Sequence, residues 1–497
     1  MLRVLLSMLV SLVLPPFLVH RLSPAEYSAW VLILQLSAYV SLLDFGLQTA
    51  IGKFVAEYDA AGDREASHHL VSTSFSLLSG AALAAAIGIL ILASQVPALF
   101  HQMPVALLPE VRLGVVAVGF STAFALPFNA FTSIFTGLQQ YYFPTFVAIV
   151  SRVTSAAALI ILLLLHGSLL QMAAVYAFFN MAASVAQYLG WRKYAKHRVE
   201  FTFLLYKPAV ALRLAKYGSV LSVWTVAMLL ISGLDTVIVG HYDYKNTGFY
   251  AIASSVTNVM LTVISSVFGP MLPAFSSMQA GTTPTRMGEL CIKTTRYCAL
   301  LLCLLGLPLF FGAYPLLSLW VGHSYAARSA LYLEVLIIGN CIRQLAFPYV
   351  LGVVATGKQH LATVSAIAEA SVNIILSIWL VQKFGAVGVA IGTLVGAIVS
   401  VGVHLTVSMN LTRTTILINR SRFVAEGLLR PLVCLIPALF LYPFWRRYSM
   451  LPARPSIFMT WVLLTLALAW TIGLTADERS QMKLILGRLL YWREERA

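Results

Sequence analysis

The sequence predicts an all-α polytopic membrane bundle of about fourteen transmembrane helices, built as two pseudo-symmetric six-helix halves plus two C-terminal helices. Three observations carry this: a charge content too low for a water-facing surface, a succession of apolar runs of membrane length, and an internal repeat. Of the 497 residues, 60% are hydrophobic and 10% charged, with a mean hydropathy of +0.86. Soluble domains carry about 25% charged residues.

A spanning helix needs about 20 mostly apolar residues. Such runs occur at 2–20, 28–50, 71–94, 113–137, 143–165, 168–190, 216–240, 247–270, 297–321, 329–351, 361–382, 385–410, 428–445 and 455–474. The first contains Pro15-Pro16 and no clear small-residue cleavage pattern, so it reads as a retained, kinked span rather than a signal peptide. With the N-terminus inside, 23 Lys and Arg fall in inner segments and 8 in outer ones. That bias puts both termini in the cytoplasm. It also accounts for the net charge of +15, which would otherwise suggest nucleic acid, a partner this composition excludes.

"FTGLQQYYFP" (135–144) resembles "ATGKQHLATV" (355–364), an offset of 220. In nearly the same register His20 meets His241, Trp30 meets Tyr250 and Phe54 meets Phe275. The expected organisation is a six-helix half at 1–195, a basic linker at 196–215, a second half at 216–410, a basic loop with two helices at 411–474, and a tail at 475–497. An even number of crossings separates equivalent points, so the halves share one orientation, a recurring transporter plan with the substrate site between them. The tail opens with Thr475-x-x-Glu478, a capping-box pattern. Leu484, Ile485, Leu489 and Trp492 alternate there with basic residues, as in an amphipathic helix on the inner membrane face.

Ionisable residues at membrane depth are costly and face a cavity or a partner. They are Asp44, Arg152, Asp235, Glu334, Arg343 and Glu369. At about 1.5 Å per residue, Arg152, Arg343 and Glu369 all lie roughly 12–13 Å from the inner ends of their spans. Asn340 and Asn373 share the helix faces of Arg343 and Glu369. These five are the substrate-binding candidates of a central cleft. Arg343 and Glu369 read equally as an interhelical salt bridge. Asp235 and Glu334, nearer the outer surface, and Asp44, near an inner end, are candidates for ion coupling. The five cysteines have neither disulfide nor metal spacing. No Asp-x-Asp metal pattern, Gly-rich phosphate loop or large extramembrane segment suggests an enzyme or a cofactor. Gly388, Gly392 and Gly396, at i+4 spacing, mark a tight packing stripe.

"RLSPAEYSAWVLILQLSAYVSLLDFGLQTAIGKFVAEY" (21–58) resembles the opening of the bacterial polysaccharide-repeat-unit flippases, the Wzx-type family. That family belongs to the superfamily shared with MATE exporters and the peptidoglycan-precursor flippase. "KFGAVGVAIGTLVGAIV" (383–399) is similar to the start of its twelfth span, and "DFGL" (44–47) belongs to its helix pattern. The resemblance implies translocation of an undecaprenyl-diphosphate-linked oligosaccharide across the bacterial inner membrane for exopolysaccharide, capsule or O-antigen synthesis. Alternating access would drive it, coupled to H⁺ or Na⁺, with membrane lipids and polymerase, chain-length or export proteins as partners. The alternatives are a MATE-like exporter of cations, a membrane glycan polymerase or ligase, and an assembly scaffold.

Overall fold

The computed structural model describes residues 2–196, 198–202, 205–279, 281, 283–438, 440, 442 and 454–480. Among them there is no strand. The main helices are α1 (Leu2–Arg21), α2 (Pro24–Ala38), α3 (Leu47–Ala61), α4 (Arg64–Leu99), α5 (Leu108–Gly137), α6 (Tyr142–Leu164), α7 (Leu169–Gly190), α8 (Pro208–Ser232) and α9 (Leu234–Tyr242). They continue with α10 (Tyr244–Phe268), α11 (Met271–Gln279), α12 (Pro284–Phe311), α13 (Ala313–Val321), α14 (His323–Gln344), α15 (Phe347–Ala355), α16 (Gln359–Phe384) and α17 (Ala386–Val403), and a last helix covers Arg454–Leu468. Among the described residues, eleven helical stretches are long and apolar enough to cross a membrane, and two shorter apolar helices cover Leu6–Arg21 and Met459–Gly473. The expected span 428–445 and the amphipathic tail helix with Leu484, Ile485, Leu489 and Trp492 lie partly or wholly outside the described residues.

Local chemistry sets the helix ends. Ser23 and Glu26 form a reciprocal capping box at the start of α2, with Pro24 at its first position. Ser168 and Gln171 do the same for α7, and Asp63 caps α4. The expected span 28–50 is not one helix. It tightens over Tyr39–Asp44 and breaks at Phe45 (φ 47°) and Gly46 (φ 68°), both left-handed, before α3 begins. Asp44 sits at this break and its Oδ2 accepts the backbone N–H of Gln48 at 3.3 Å, capping the new helix. The span 216–240 is likewise interrupted, at Gly233 between α8 and α9.

The order of elements repeats along the chain. A break at Phe45-Gly46, then α3 and the long α4, is matched by a break at Gly269-Pro270, then α11 and the long α12. Helices α4 and α12 begin 220 residues apart, at Arg64 and Pro284. The last helix of each series runs into a π-helical turn, Trp191–Ala195 after α7 and His404–Ser408 after α17.

The chain forms two compact units. The first comprises Met1–Ser255, Ser318–Ser329 and Asn373–Gly392. Its core includes an aromatic cluster of Phe75, Phe131, Trp191 and Phe201, where the Trp191 indole donates to the Val199 carbonyl at 3.0 Å. Gly137 allows α5 to meet α3: a Cβ there would lie 2.6 Å from the Gly52 carbonyl oxygen. In the same unit Gly388 and Gly392 of α17 press against the α16 backbone at Leu380 and Ser377, as the stripe predicts.

The second unit comprises Val256–Leu317, Ala330–Val372 and Thr393–Ala497. Here the 412–429 segment and the helix Arg454–Leu468 pack on α12. The expected capping box is present: the Thr475 N–H donates to Glu478 Oε2 at 2.8 Å, and the Glu478 N–H donates to Thr475 Oγ1 at 3.3 Å. The other Glu478 oxygen accepts from buried Arg296 on α12, which fastens the start of the tail to this unit.

Candidate functional site

Inside the first unit, α1, α2, α3, α5, α6 and α7 surround a cavity of about 540 Å³. Arg152 of α6 is exposed in it, and its guanidinium Nη2 donates to Ser11 Oγ of α1 at 3.2 Å. Ser151 and Ser155 flank it on the same helix, and Asn129 and Thr132 come from α5. Helix α7 contributes Tyr176, Asn180, Ser184 and Gln187, spaced i, i+4, i+8, i+11 along one face. Asn180 donates to Ser121 Oγ at 3.1 Å, while Gln187 is buried and its Oε1 has no hydrogen-bond partner in the protein. Trp30 and Tyr176 meet edge to face at the wall, with ring centroids 6.2 Å apart. Among the described residues, the lining contains one cation, several carboxamides and hydroxyls, aromatic faces, and no Asp or Glu. Its size falls in the 300–1,000 Å³ range of about 70–90%-enclosing ligand sites.

A second cluster in the first unit surrounds Asp235, which is 5% exposed. Its carboxylate accepts from the Tyr250 hydroxyl and the Asn373 amide, each at 3.2 Å. Asn373 Nδ2 also donates to the Ile231 carbonyl at 2.9 Å. Ser377 in turn donates to Asn373 Oδ1 at 3.0 Å. The break at Gly233 lies beside this cluster in sequence, and Tyr39 donates to the Gly233 carbonyl at 2.9 Å. Carboxylate, carbonyl, amide and hydroxyl oxygens of this kind suit a hard cation or a proton.

In the second unit Arg343 and Glu369 form a direct ion pair, and Arg343 Nη1 donates to Asn340 Oδ1 at 2.7 Å. Asn340 Nδ2 is held by the Leu336 carbonyl at 2.9 Å, so the asparagine is a fixed acceptor. Arg343 Nη2 is buried without a partner in the protein. Two charges taken out of water are tolerated here because each has the other.

Of the remaining sequence candidates, Glu334 is half-buried on α14. Asp44 caps α3 and its Oδ1 is buried without a protein partner. Asn373, which shares a helix with Glu369, joins Asp235 instead. Sequence reasoning missed the polar stripe on α7. Its signal was present, as uncharged polar groups at helical spacing within 168–190, but amides and hydroxyls are less conspicuous than charges in an apolar run.

Membrane-length helices around a polar cavity define a multi-pass membrane protein with a transporter fold. Residues 1–279 match the polysaccharide biosynthesis protein family, and the chain belongs to that family. No curated protein matches it significantly. The fold is similar to that of the lipid II flippase MurJ in an inward closed conformation, with a TM-score of 0.70 at 15% identity over 94% of this chain and 96% of that one. It is also similar to an inward-facing multidrug resistance MATE family transporter of the MOP superfamily, with a TM-score of 0.60 at 14% identity over 82% and 98% of the two chains. The MATE transporter VcmN of Vibrio cholerae gives 0.57 at 15% identity over 83% and 94%.

Proposed function

We propose that this protein flips an undecaprenyl-diphosphate-linked oligosaccharide repeat unit from the cytoplasmic to the periplasmic leaflet of a bacterial inner membrane, with both termini in the cytoplasm. It acts as a transporter and not an enzyme, and serves the synthesis of an exopolysaccharide, capsule or O-antigen. The observation that carries this reading is the cavity around Arg152. Carboxamides and hydroxyls offer both donors and acceptors to sugar hydroxyls, aromatic faces cover their apolar sides, and a guanidinium binds phosphate or an acidic sugar with charge-assisted bonds. A site for cationic drugs needs carboxylates in the wall, and the described residues of this lining include none. Membership of the polysaccharide biosynthesis family and the fold shared with a lipid II flippase support the same cargo class.

In this mechanism the glycan and diphosphate enter a hydrated path while the polyprenyl tail stays among lipids. Arg152 contacts the polar headgroup in its cavity; Arg343, Asn340 and Glu369 are a further headgroup contact, with Glu369 releasing Arg343 as cargo arrives, and Asn373 serves the Asp235 cluster. The halves at 1–195 and 216–410 rock about that path. Asp235 takes up the coupling cation, H⁺ or Na⁺, because its oxygen-rich surroundings suit one while Glu369 is already engaged by Arg343. Asp44 and Glu334 are secondary coupling candidates. Polymerase and chain-length proteins would receive the product. The test is reconstitution in liposomes with a polyprenyl-diphosphate oligosaccharide whose exposure to an external glycosidase reports translocation. Wild-type protein should raise exposure and Arg152→Ala should not; equal exposure with and without protein refutes the reading.

A further inference from the structure

Outside these clusters, the second unit buries a histidine. His404 opens the π-helical turn His404–Ser408 at the end of α17 and is 4% exposed. Turns of this kind inside α-helices concentrate at functional positions. The ring Nε2 lies 2.8 Å from Ser365 Oγ on α16. Ser365 has one hydroxyl proton and donates it to the Ala362 carbonyl at 2.8 Å. With that proton on the Ala362 carbonyl, Ser365 accepts from the imidazole and the neutral ring carries its proton on Nε2. That leaves Nδ1 with a lone pair, and it is buried with no hydrogen-bond partner in the protein. Beside the ring lies a small, apolar-lined void of about 10 Å³, bordered by Tyr349, Leu345, Met409 and Phe423, at the lower limit for one water. Tyr349 meets the imidazole edge-on at 5.5 Å between centroids. Its hydroxyl is 2.9 Å from Thr412 Oγ1, and Thr412 donates to the Ser408 carbonyl at 3.0 Å. Tyr349 and Thr412 thus join the ring's surroundings to the turn that starts the 411–430 loop.

We propose that His404 is a proton-binding site. A hydronium arriving from the loop side gives its proton to Nδ1 and leaves as water, while Nε2–H stays on Ser365. The product is an imidazolium in an apolar shell, and an unpaired buried cation is expensive. The closed packing therefore favours the neutral ring, and protonation favours a state of the second unit in which water reaches it. The charged and titratable groups nearest the ring on the packed elements are Tyr349, in ring contact, and the Arg343–Glu369 pair, with Glu369 one turn along α16 from Ser365; His360 and Lys383 lie at the two ends of α16. Arg420 donates to the Thr406 carbonyl within the turn, and Glu426, beyond Phe423, is engaged by Arg422 and Arg296.

Hydrogen–deuterium exchange of the full chain in lipid nanodiscs tests it, from about pH 7.5 to about pH 5.5 across the histidine range and corrected for intrinsic rates. In wild type, exchange over 400–412 should rise by up to about tenfold per pH unit, the limit for one linked proton. In His404→Gln, which keeps an N–H for Ser365, the rise should vanish while protection at the upper pH is retained. A flat wild-type profile, or the same rise in His404→Gln, overturns the proposal. Nitrogen-15 spectra of histidine-labelled protein, with the His404 signal identified by its loss in His404→Gln, should show Nδ1 unprotonated at the upper pH. An Nδ1–H tautomer at the upper pH overturns it equally.

Discussion

Arg343 on α14 and Glu369 on α16 are bonded to each other, their side chains 12% and 4% exposed. Removing one partner of such a pair leaves a buried charge uncompensated. Glu369→Ala should therefore cost about 3–5 kcal/mol of stability, whereas the double variant Arg343→Met/Glu369→Leu should be neutral or stabilising by about 1–4 kcal/mol. Thermal unfolding in detergent measures both. If the pair also handles cargo, the stable double variant loses translocation; a stable double variant with full translocation reduces the pair to a packing device.

Arg152 behaves differently because it is exposed in its cavity. Arg152→Ala should change stability by no more than about 0.5 kcal/mol. Loss of a charge-assisted bond to phosphate or an acidic sugar is worth about 1.5–3 kcal/mol, roughly ten- to a hundredfold in affinity. Unfolding midpoints and surface polysaccharide yield, compared in one strain, separate the two effects.

Coupling through Asp235 predicts that Asp235→Asn leaves the protein folded but removes the dependence of translocation on an imposed H⁺ or Na⁺ gradient. Gly392 offers a second route to the same cluster. A Cβ there would fall 2.3 Å from Ser377 Oγ, so Gly392→Ala should push Ser377 off Asn373 and cost about 1–3 kcal/mol. Translocation assayed with and without each gradient checks both variants.

The tail contact should respond to acid. Burial pushes the Glu478 carboxyl up, but the Thr475 N–H and the Arg296 guanidinium outweigh it and hold the group below its ordinary value of 4.5. A depressed carboxylate contributes stability that is complete above the ordinary value and lost as pH falls through the folded value. Amide exchange over 474–480 should rise below about pH 4.5 in wild type. In Glu478→Gln it should be high already at neutral pH and change little with acid.

Much of this was legible where the determinant is local. Thr475 and Glu478 announce their cap by spacing alone, and Gly388 and Gly392 announce a close approach by i+4 recurrence. Arg343 and Glu369 share a level because helical rise is uniform, so their meeting could be expected from depth. The break at Phe45-Gly46 was hidden, since the apolar run continues through it and one glycine does not distinguish a bend from a packing site. The Asn373–Asp235 contact joins residues 138 positions apart, and no local pattern carries it. The α7 stripe lacked charge, the feature that makes a membrane-embedded site conspicuous.

The proposed activity is carriage of lipid-linked glycan between leaflets through the Arg152 cavity. Its most direct test is leaflet-resolved detection of the lipid-linked repeat unit in a strain lacking this gene, complemented with wild type or Arg152→Ala. Repeat units should accumulate in the cytoplasmic leaflet of the deletion strain, return to the periplasmic leaflet with wild type, and stay inside with Arg152→Ala at equal protein level. An unchanged leaflet distribution on deletion, or full rescue by Arg152→Ala, would contradict it.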